Sequence, residues 1–297
     1  MIFTKKILTT LLIHSIINNK VILNIKGGLG NQIFQIIAAL NYCKQNNISI
    51  LYINTPNLIN YKVIRKMDID LNLFNFSISI KLFDKKYIFL SNRFIQILKL
   101  FNNKIVRVIN DKNISQFTNS KINILDGYFQ TTQSLFLDNT LHDFSSQFEK
   151  IYTNYITKFL PILNIDFDND YGLHIRGSDF LGHKQLINND PLIILKKFKL
   201  QKIFIFTDDK PYAQKLLKDL NNKIIFISDY NLTDLEEFIM ISKFRNMIIT
   251  NSTFSLTASM INMQNNKNIM CPSFWYYSKR QNNELLDIIN NFKFIMY

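Results

Sequence analysis

From residue 171 onward the chain alternates short apolar runs with amphipathic stretches. "YGLHIR" (171–176), "KIFIFT" (202–207), "KIIFIS" (223–228), "NMIIT" (246–250) and "KNIMC" (267–271) have the length and apolar content of buried strands. Helical stretches at 210–220, 232–245 and 253–263 separate them. Apolar strands joined by helices predict a parallel sheet covered on both faces. The N-terminal part opens the same way, with strand "VILNIK" (21–26), helix "QIFQIIAALNYCKQNN" (32–47) and strand "ISILYI" (48–53), a βαβ unit. Residues 54–120 are less regular and include the helical piece "RFIQILKLF"; "KINILDGYFQ" (121–130) reads as a strand ending in a turn at Gly127. The polar, proline-containing "KFLPILNIDFDNDYG" is the expected boundary. The expected fold is α/β, with two Rossmann-like domains, 1–160 and 161–297, facing a central cleft.

The 297 residues, 47% of them hydrophobic, suffice for two such domains. Thirty-five basic against 22 acidic residues give a net charge of +13, which suits anionic partners. A coding bias toward Ile, Asn and Lys would produce the same charge. No RNP-like, KH or zinc element occurs, nor a basic cluster interleaved with aromatics, so nucleic acid is not an expected partner. Cys43 and Cys271 form no CxxC, which fits a reducing, cytoplasmic setting. "MIFTKKILTTLLIHSIINNK" places two lysines before an apolar run too short for a bilayer core of about 30 Å. It lacks an A-x-A-like cleavage site and reads as a leader or an extra helix.

"KGGLGNQIFQ" (26–35) has the look of a phosphate loop. A dinucleotide fingerprint would need a third glycine where Ile33 stands, and an acidic residue ending the second strand, where the chain reads "LYINTPN". The Gly-Lys-Ser/Thr of a P-loop is absent too, which sets aside ATP or GTP hydrolysis. Gly28 and Gly30 would let backbone approach a ligand, while Asn31 offers an amide to a sugar or an anion, or simply caps the helix.

Three further motifs sit where strands end, at the edge where open α/β sheets bind ligands. "LHIRGSDF" (173–180) brings His174, Arg176 and Asp179 to one strand exit. Arginine is scarce in this lysine-rich chain, and Arg176 suggests a demand for a bidentate donor that lysine cannot meet. The alternatives are a structural ion pair of Arg176 with Asp179 or a helix C-terminus, and a satisfied structural role for His174. Asp179 is a base, a hydroxyl ligand or the orienting partner of Arg176. "FIFTDD" (204–209) offers Thr207 and Asp208 to a ribose or base, with Asp209 as a helix cap. "ITNSTFSLTAS" (249–259) places Ser252, Thr253, Phe254 and Ser255 at a helix start suited to an anion. "DID" (68–70) and "DFDND" (166–170) read as solvated loops rather than metal ligands, so no metal is expected.

In this order, "GGLGNQIFQ", "GYFQTTQ", "HIRGSDF", "FIFTDD" and "NSTFS" resemble blocks of the family-11 glycosyltransferases, chiefly bacterial α-1,2-fucosyltransferases, over residues 21–275. The resemblance implies a GT-B fold and inverting, metal-independent transfer of L-fucose from GDP-fucose to a galactoside hydroxyl, with no cofactor beyond that donor. It implies that His174, Arg176 and Asp179 lie in the GDP-fucose site, Arg176 on the diphosphate. Asn31 and the glycine loop would come from the N-terminal, acceptor-side domain. The implied acceptor is a galactose-containing, lipid-linked glycan of surface-polysaccharide synthesis, met by a peripheral contact with the inner membrane. Two departures stand out. The family places two adjacent arginines before its glycine, where this chain has Arg176, Gly177 and Ser178. It also places two tryptophans where Leu256 and Thr257 stand, and the alternatives these departures leave open are a fucosyltransferase of another linkage or protein acceptor and a non-catalytic GDP-sugar-binding protein.

Overall fold

The computed structural model describes residues 20–55, 67–82, 106–114, 120, 122–135, 139–177, 191–195, 202–220, 223–264 and 266–297. The N-terminal leader (1–19), "RFIQILKLF", Ser178 and Asp179 lie outside the described residues. The chain divides into two compact units, Met1–Thr140 and Leu141–Tyr297.

The first unit holds β1 (Lys20–Asn24), α1 (Leu29–Gln45), β2 (Ile50–Asn54), β3 (Ser79–Leu82), β4 (Val106–Ile109) and β5 (Ile122–Leu125). Its strands form a parallel sheet in the order β3-β2-β1-β5-β4. β3 and β4 fall in the stretch that showed no regular pattern; Ser79–Leu82 is mostly exposed and so carries no apolar run. α1 is apolar almost all round, with buried residues from Leu29 to Cys43. Asn41, buried within it, donates 2.7 Å to the Ser134 carbonyl, tying it to the short helix Thr132–Leu135.

The second unit opens with α2 (Thr140–Tyr152), followed by β6 (Tyr171–Ile175), β7 (Lys202–Thr207), α3 (Lys210–Leu217), β8 (Lys223–Phe226) and α4 (Asp234–Ile241). β9 (Asn246–Ile249), α5 (Thr253–Met260), β10 (Asn268–Cys271), α6 (Lys279–Asn291) and β11 (Ile295–Met296) complete it. The parallel sheet runs β11-β10-β9-β6-β7-β8, the doubly wound order whose direction reverses between β6 and β9. One face packs Leu173, Ile175, Ile203, Ile205 and Ile248 against Ala213 and Leu217 of α3. On the other, Phe204 and Phe206 meet Phe244, while Phe238 of α4 stands edge-on to Phe254 of α5, with centroids 5.3 Å apart.

Two α/β units with all-parallel sheets are the architecture expected of this chain. The division comes at residue 140, ahead of the expected 160/161 boundary. α2 carries Phe144, Phe148 and Tyr152 at four-residue spacing, one helical stripe. That stripe belongs to the second core, where Phe148 meets Phe238 at 5.7 Å. Lys243 Nζ on Glu149 at 2.6 Å and Lys158 Nζ on Glu236 at 2.7 Å fasten the same segment.

Candidate functional site

The strand order of the second unit reverses between β6 and β9, and beyond the strand ends at such a point doubly wound sheets take ligands. Arg176 follows β6 directly, and its backbone N–H donates 3.2 Å to Thr250 Oγ1, just beyond β9. The parallel register sets Ile175 opposite Thr207, so the next residues meet as well. Arg176 Nη1 lies 2.6 Å from Asp208 Oδ2, and the Gly177 N–H donates 2.8 Å to Asp208 Oδ1. Among the described residues Asp208 is thus an ion-pair partner of Arg176, while Asp179, the expected one, lies outside them. Asp208 orients the guanidinium.

Asp209 caps α3, accepting from the Tyr212 N–H at 3.0 Å, as expected. Buried Thr207 accepts from the Asp209 N–H at 3.1 Å through Oγ1, so its hydroxyl shapes the turn. Gly177 packs against this turn; a Cβ there would come 2.4 Å from Asp209 Cβ. A second arginine therefore has no room at position 177.

His174 is buried and stands on the aromatic face, its ring 5.7 Å from Phe254. Its Nδ1 has no hydrogen-bond partner among the described residues, so the expectation of a satisfied structural histidine is corrected. Burial, then the nearby Arg176 charge, push its pKa down to about 3, and the ring is neutral at physiological pH. An unpaired buried nitrogen costs about 1–3 kcal/mol, which makes His174 an expensive way to fill an apolar layer.

Ser252 is the N-cap of α5 and makes no side-chain cap bond, whereas the Ser255 hydroxyl turns back to the Ser252 carbonyl at 3.4 Å. Ser255 is fully buried and Ser252 is also buried, so the half-buried Thr253 is the more exposed hydroxyl of this helix start. Asn251 donates 3.1 Å to the Trp275 carbonyl, bracing the loop after β10. Leu256 and Thr257 are both buried, and the Thr257 hydroxyl bonds the Thr253 carbonyl at 2.6 Å.

Glu237 was not singled out by sequence reasoning. Burial, with Asp234 and Asp208 nearby, pushes its carboxyl up to about 8. The cluster at this sheet edge therefore contains an acid that is neutral at physiological pH. No local motif marks it, because α4 docks it beside Asp208 through tertiary packing.

In the first unit, two buried glutamines preset the glycine loop. Gln32 Nε2 donates 3.0 Å to the Gly27 carbonyl, while Gln35 receives the Lys26 N–H at 3.0 Å and donates to the Lys26 carbonyl at 2.8 Å. Gly27 adopts φ +82°, and a Cβ there would lie 2.8 Å from Asn31 Nδ2. Gly28, not Asn31, is the N-cap of α1, so the capping alternative for Asn31 falls. Asn31 lies inside the first turn, where its Oδ1 accepts from Gln130 Nε2 at 2.8 Å, which turns its NH₂ toward the loop. A Cβ on Gly28 would meet nothing within 4 Å, whereas Gly30 is buried in the helix.

"DID" and "DFDND" are turns: Asp70 caps a short helix at the Asn72 N–H, and Asp166 accepts from the Asp168 and Asn169 backbones. Among the described residues no three His, Cys, Asp or Glu side chains group as metal ligands, and no helix is long and apolar enough to cross a membrane.

Neither a protein-family model nor a curated protein matches the sequence. Among solved structures, the chain is similar to the fucosyltransferase NodZ from Bradyrhizobium, at 10% identity and TM-score 0.47, covering 82% of this chain and 93% of that one. A mutant of Arabidopsis thaliana FUT1 in complex with GDP aligns at 12% identity and TM-score 0.46, over 87% and 72% of the two chains. POFUT1 in complex with GDP aligns at 10% identity and TM-score 0.41, over 82% and 95%. Likeness at this level transfers no residue's role to this chain.

Proposed function

We propose that this chain is a glycosyltransferase that moves L-fucose from GDP-fucose to a galactoside hydroxyl, with inversion and without a metal. The observation that carries the reading is the placement of Arg176 beside Thr250 and the uncapped start of α5, at the point where the second sheet reverses its strand order. Five sequence blocks in family order support the choice of donor.

In the proposed reaction, the acceptor oxygen attacks the anomeric carbon while the bond to the β-phosphate breaks. The leaving GDP takes the electron pair, and negative charge grows on the phosphate. Arg176 and the N–H groups at the start of α5 would stabilise that charge. Neutral His174 and a protonated Glu237 add no negative charge of their own nearby. Asn31, Gly28 and Gly30 are proposed for the acceptor side, Thr207 and Asp208 for shaping the donor side, and Asp179 remains a proposed base. The proposed acceptor is lipid-linked, reached from the cytoplasm at a membrane surface that the positive net charge would favour.

The deciding experiment follows GDP release from GDP-fucose, with and without β-galactosides and in the presence of EDTA. Acceptor-dependent release that survives EDTA is expected. Absence of GDP-fucose binding would overturn the reading.

A further inference from the structure

The first unit carries a constellation that the donor reading does not use. β2, β1 and β5 lie side by side, and Asn54, Asn24 and Asp126 stand at their C-terminal ends. Asn54 Nδ2 donates 3.0 Å to Asn24 Oδ1, and Asn24 Nδ2 donates 3.0 Å to Asp126 Oδ1. Lys26 Nζ reaches the same Oδ1 at 3.2 Å. Asn24 and Lys26 thus donate to the same oxygen of Asp126, and Oδ2 receives no hydrogen bond from a described residue. The Asp126 side chain is 13% exposed, so the relay is buried and its outer end reaches the surface. Beside it Tyr128 is 39% exposed, its ring centre 5.1 Å from Lys26 Nζ, and the Asn31 amide lies across the glycine loop.

This arrangement disfavours an anion. The charge of Lys26 is matched by Asp126 at 3.2 Å, which weakens its pull on a phosphate. It favours a sugar, because a fixed carboxylate is a strong acceptor for hydroxyl donors, an amide serves a neighbouring hydroxyl, and an aromatic face suits the C–H side of a pyranose. We infer that the edge of the first unit around Asp126, Tyr128 and Asn31 is a binding site for a neutral sugar. Asp126 Oδ2 accepts from a hydroxyl and Tyr128 lies along the ring. The identity of that sugar as the acceptor rests on the transferase reading; the site itself does not.

The test uses the full chain and a panel of methyl glycosides, methyl β-galactopyranoside among them, followed by saturation-transfer NMR, with GDP binding measured separately by calorimetry. Wild type should bind one of the glycosides, and Asp126→Asn should weaken that affinity about tenfold, the scale of one charge-assisted hydrogen bond. Tyr128→Ala, at an exposed position, should weaken it several-fold, and both variants should keep wild-type GDP affinity. If Asp126→Asn fails to fold, Tyr128→Ala alone decides. Sugar binding without GDP binding would uphold this site while removing the transferase reading. No glycoside binding by wild type, unchanged binding in the variants, or inorganic phosphate shifting the Tyr128 resonances would each overturn it.

Discussion

Gly177 rests so closely on Asp209 that a Cβ would come within 2.4 Å of the aspartate Cβ. Asp209 cannot retreat freely, because its carboxylate holds the Tyr212 N–H at the start of α3. Gly177→Ala should therefore destabilise the chain by about 1–3 kcal/mol, as overpacking does. Urea unfolding followed by circular dichroism measures this. A midpoint equal to wild type would show that the turn has slack.

Arg176 and Asp208 make a prediction together. Arg176→Ala leaves Asp208 facing the site without its cation, whereas Arg176→Ala combined with Asp208→Ala removes both charges. GDP affinity should fall sharply in the single variant and recover in part in the double variant. Turnover should stay low in both, by about 10²–10³-fold, the range for losing a preorganised charge-stabilising donor. Calorimetry with GDP alongside release assays separates the two effects.

The glycine loop offers a paired comparison. Gly27→Ala places a Cβ at φ +82° and against the Asn31 amide, so it should cost about 1–2 kcal/mol and turn that amide. Gly28→Ala meets no atom and has an extended backbone, so its melting temperature should match wild type. If the loop faces a ligand, Gly28→Ala should raise KM nonetheless. Thermal melts and steady-state kinetics on the two variants decide this.

Glu237 predicts how stability varies with pH. Its folded pKa of about 8 lies above the ordinary 4.5, so its stabilising contribution is present at low pH and is lost as pH rises through 8. His174, held down to about 3, acts in the opposite sense, but only as pH falls below 6.5. Between pH 6.5 and 8 the Glu237 contribution dominates this pair, and stability should decline by up to about 1.4 kcal/mol per pH unit. Glu237→Gln should flatten that slope in urea titrations, and an unchanged slope would remove Glu237 as its source.

Five strands of the second unit were legible as short apolar runs, 202–207 to the residue, whereas the two exposed residues of β11 show no such run. β3 was not, since an edge strand with exposed residues shows no such run. Arg176 was legible as a rare arginine at a strand exit, but its pairing with Asp208 was not. Asp208 becomes its neighbour only through the pairing of β6 with β7, across a long stretch of intervening chain. The sequence did contain the signal for the earlier domain division, in the aromatic stripe of Phe144, Phe148 and Tyr152. Glu237 carried no local signal, because docking against Asp208 gives it its character.

The chain of amides from Asn54 through Asn24 to Asp126 has a consequence for assembly as well as for ligands. Central parallel strands made almost wholly of Ile, Leu and Val could slide by two residues and still bury every side chain on its proper face. Three polar groups that meet at one alignment and at no other remove that freedom. A slipped sheet would strand two buried amides and a carboxylate in hydrocarbon. The first unit thus carries its own alignment mark, and the mark is set at the edge where the proposed sugar would bind.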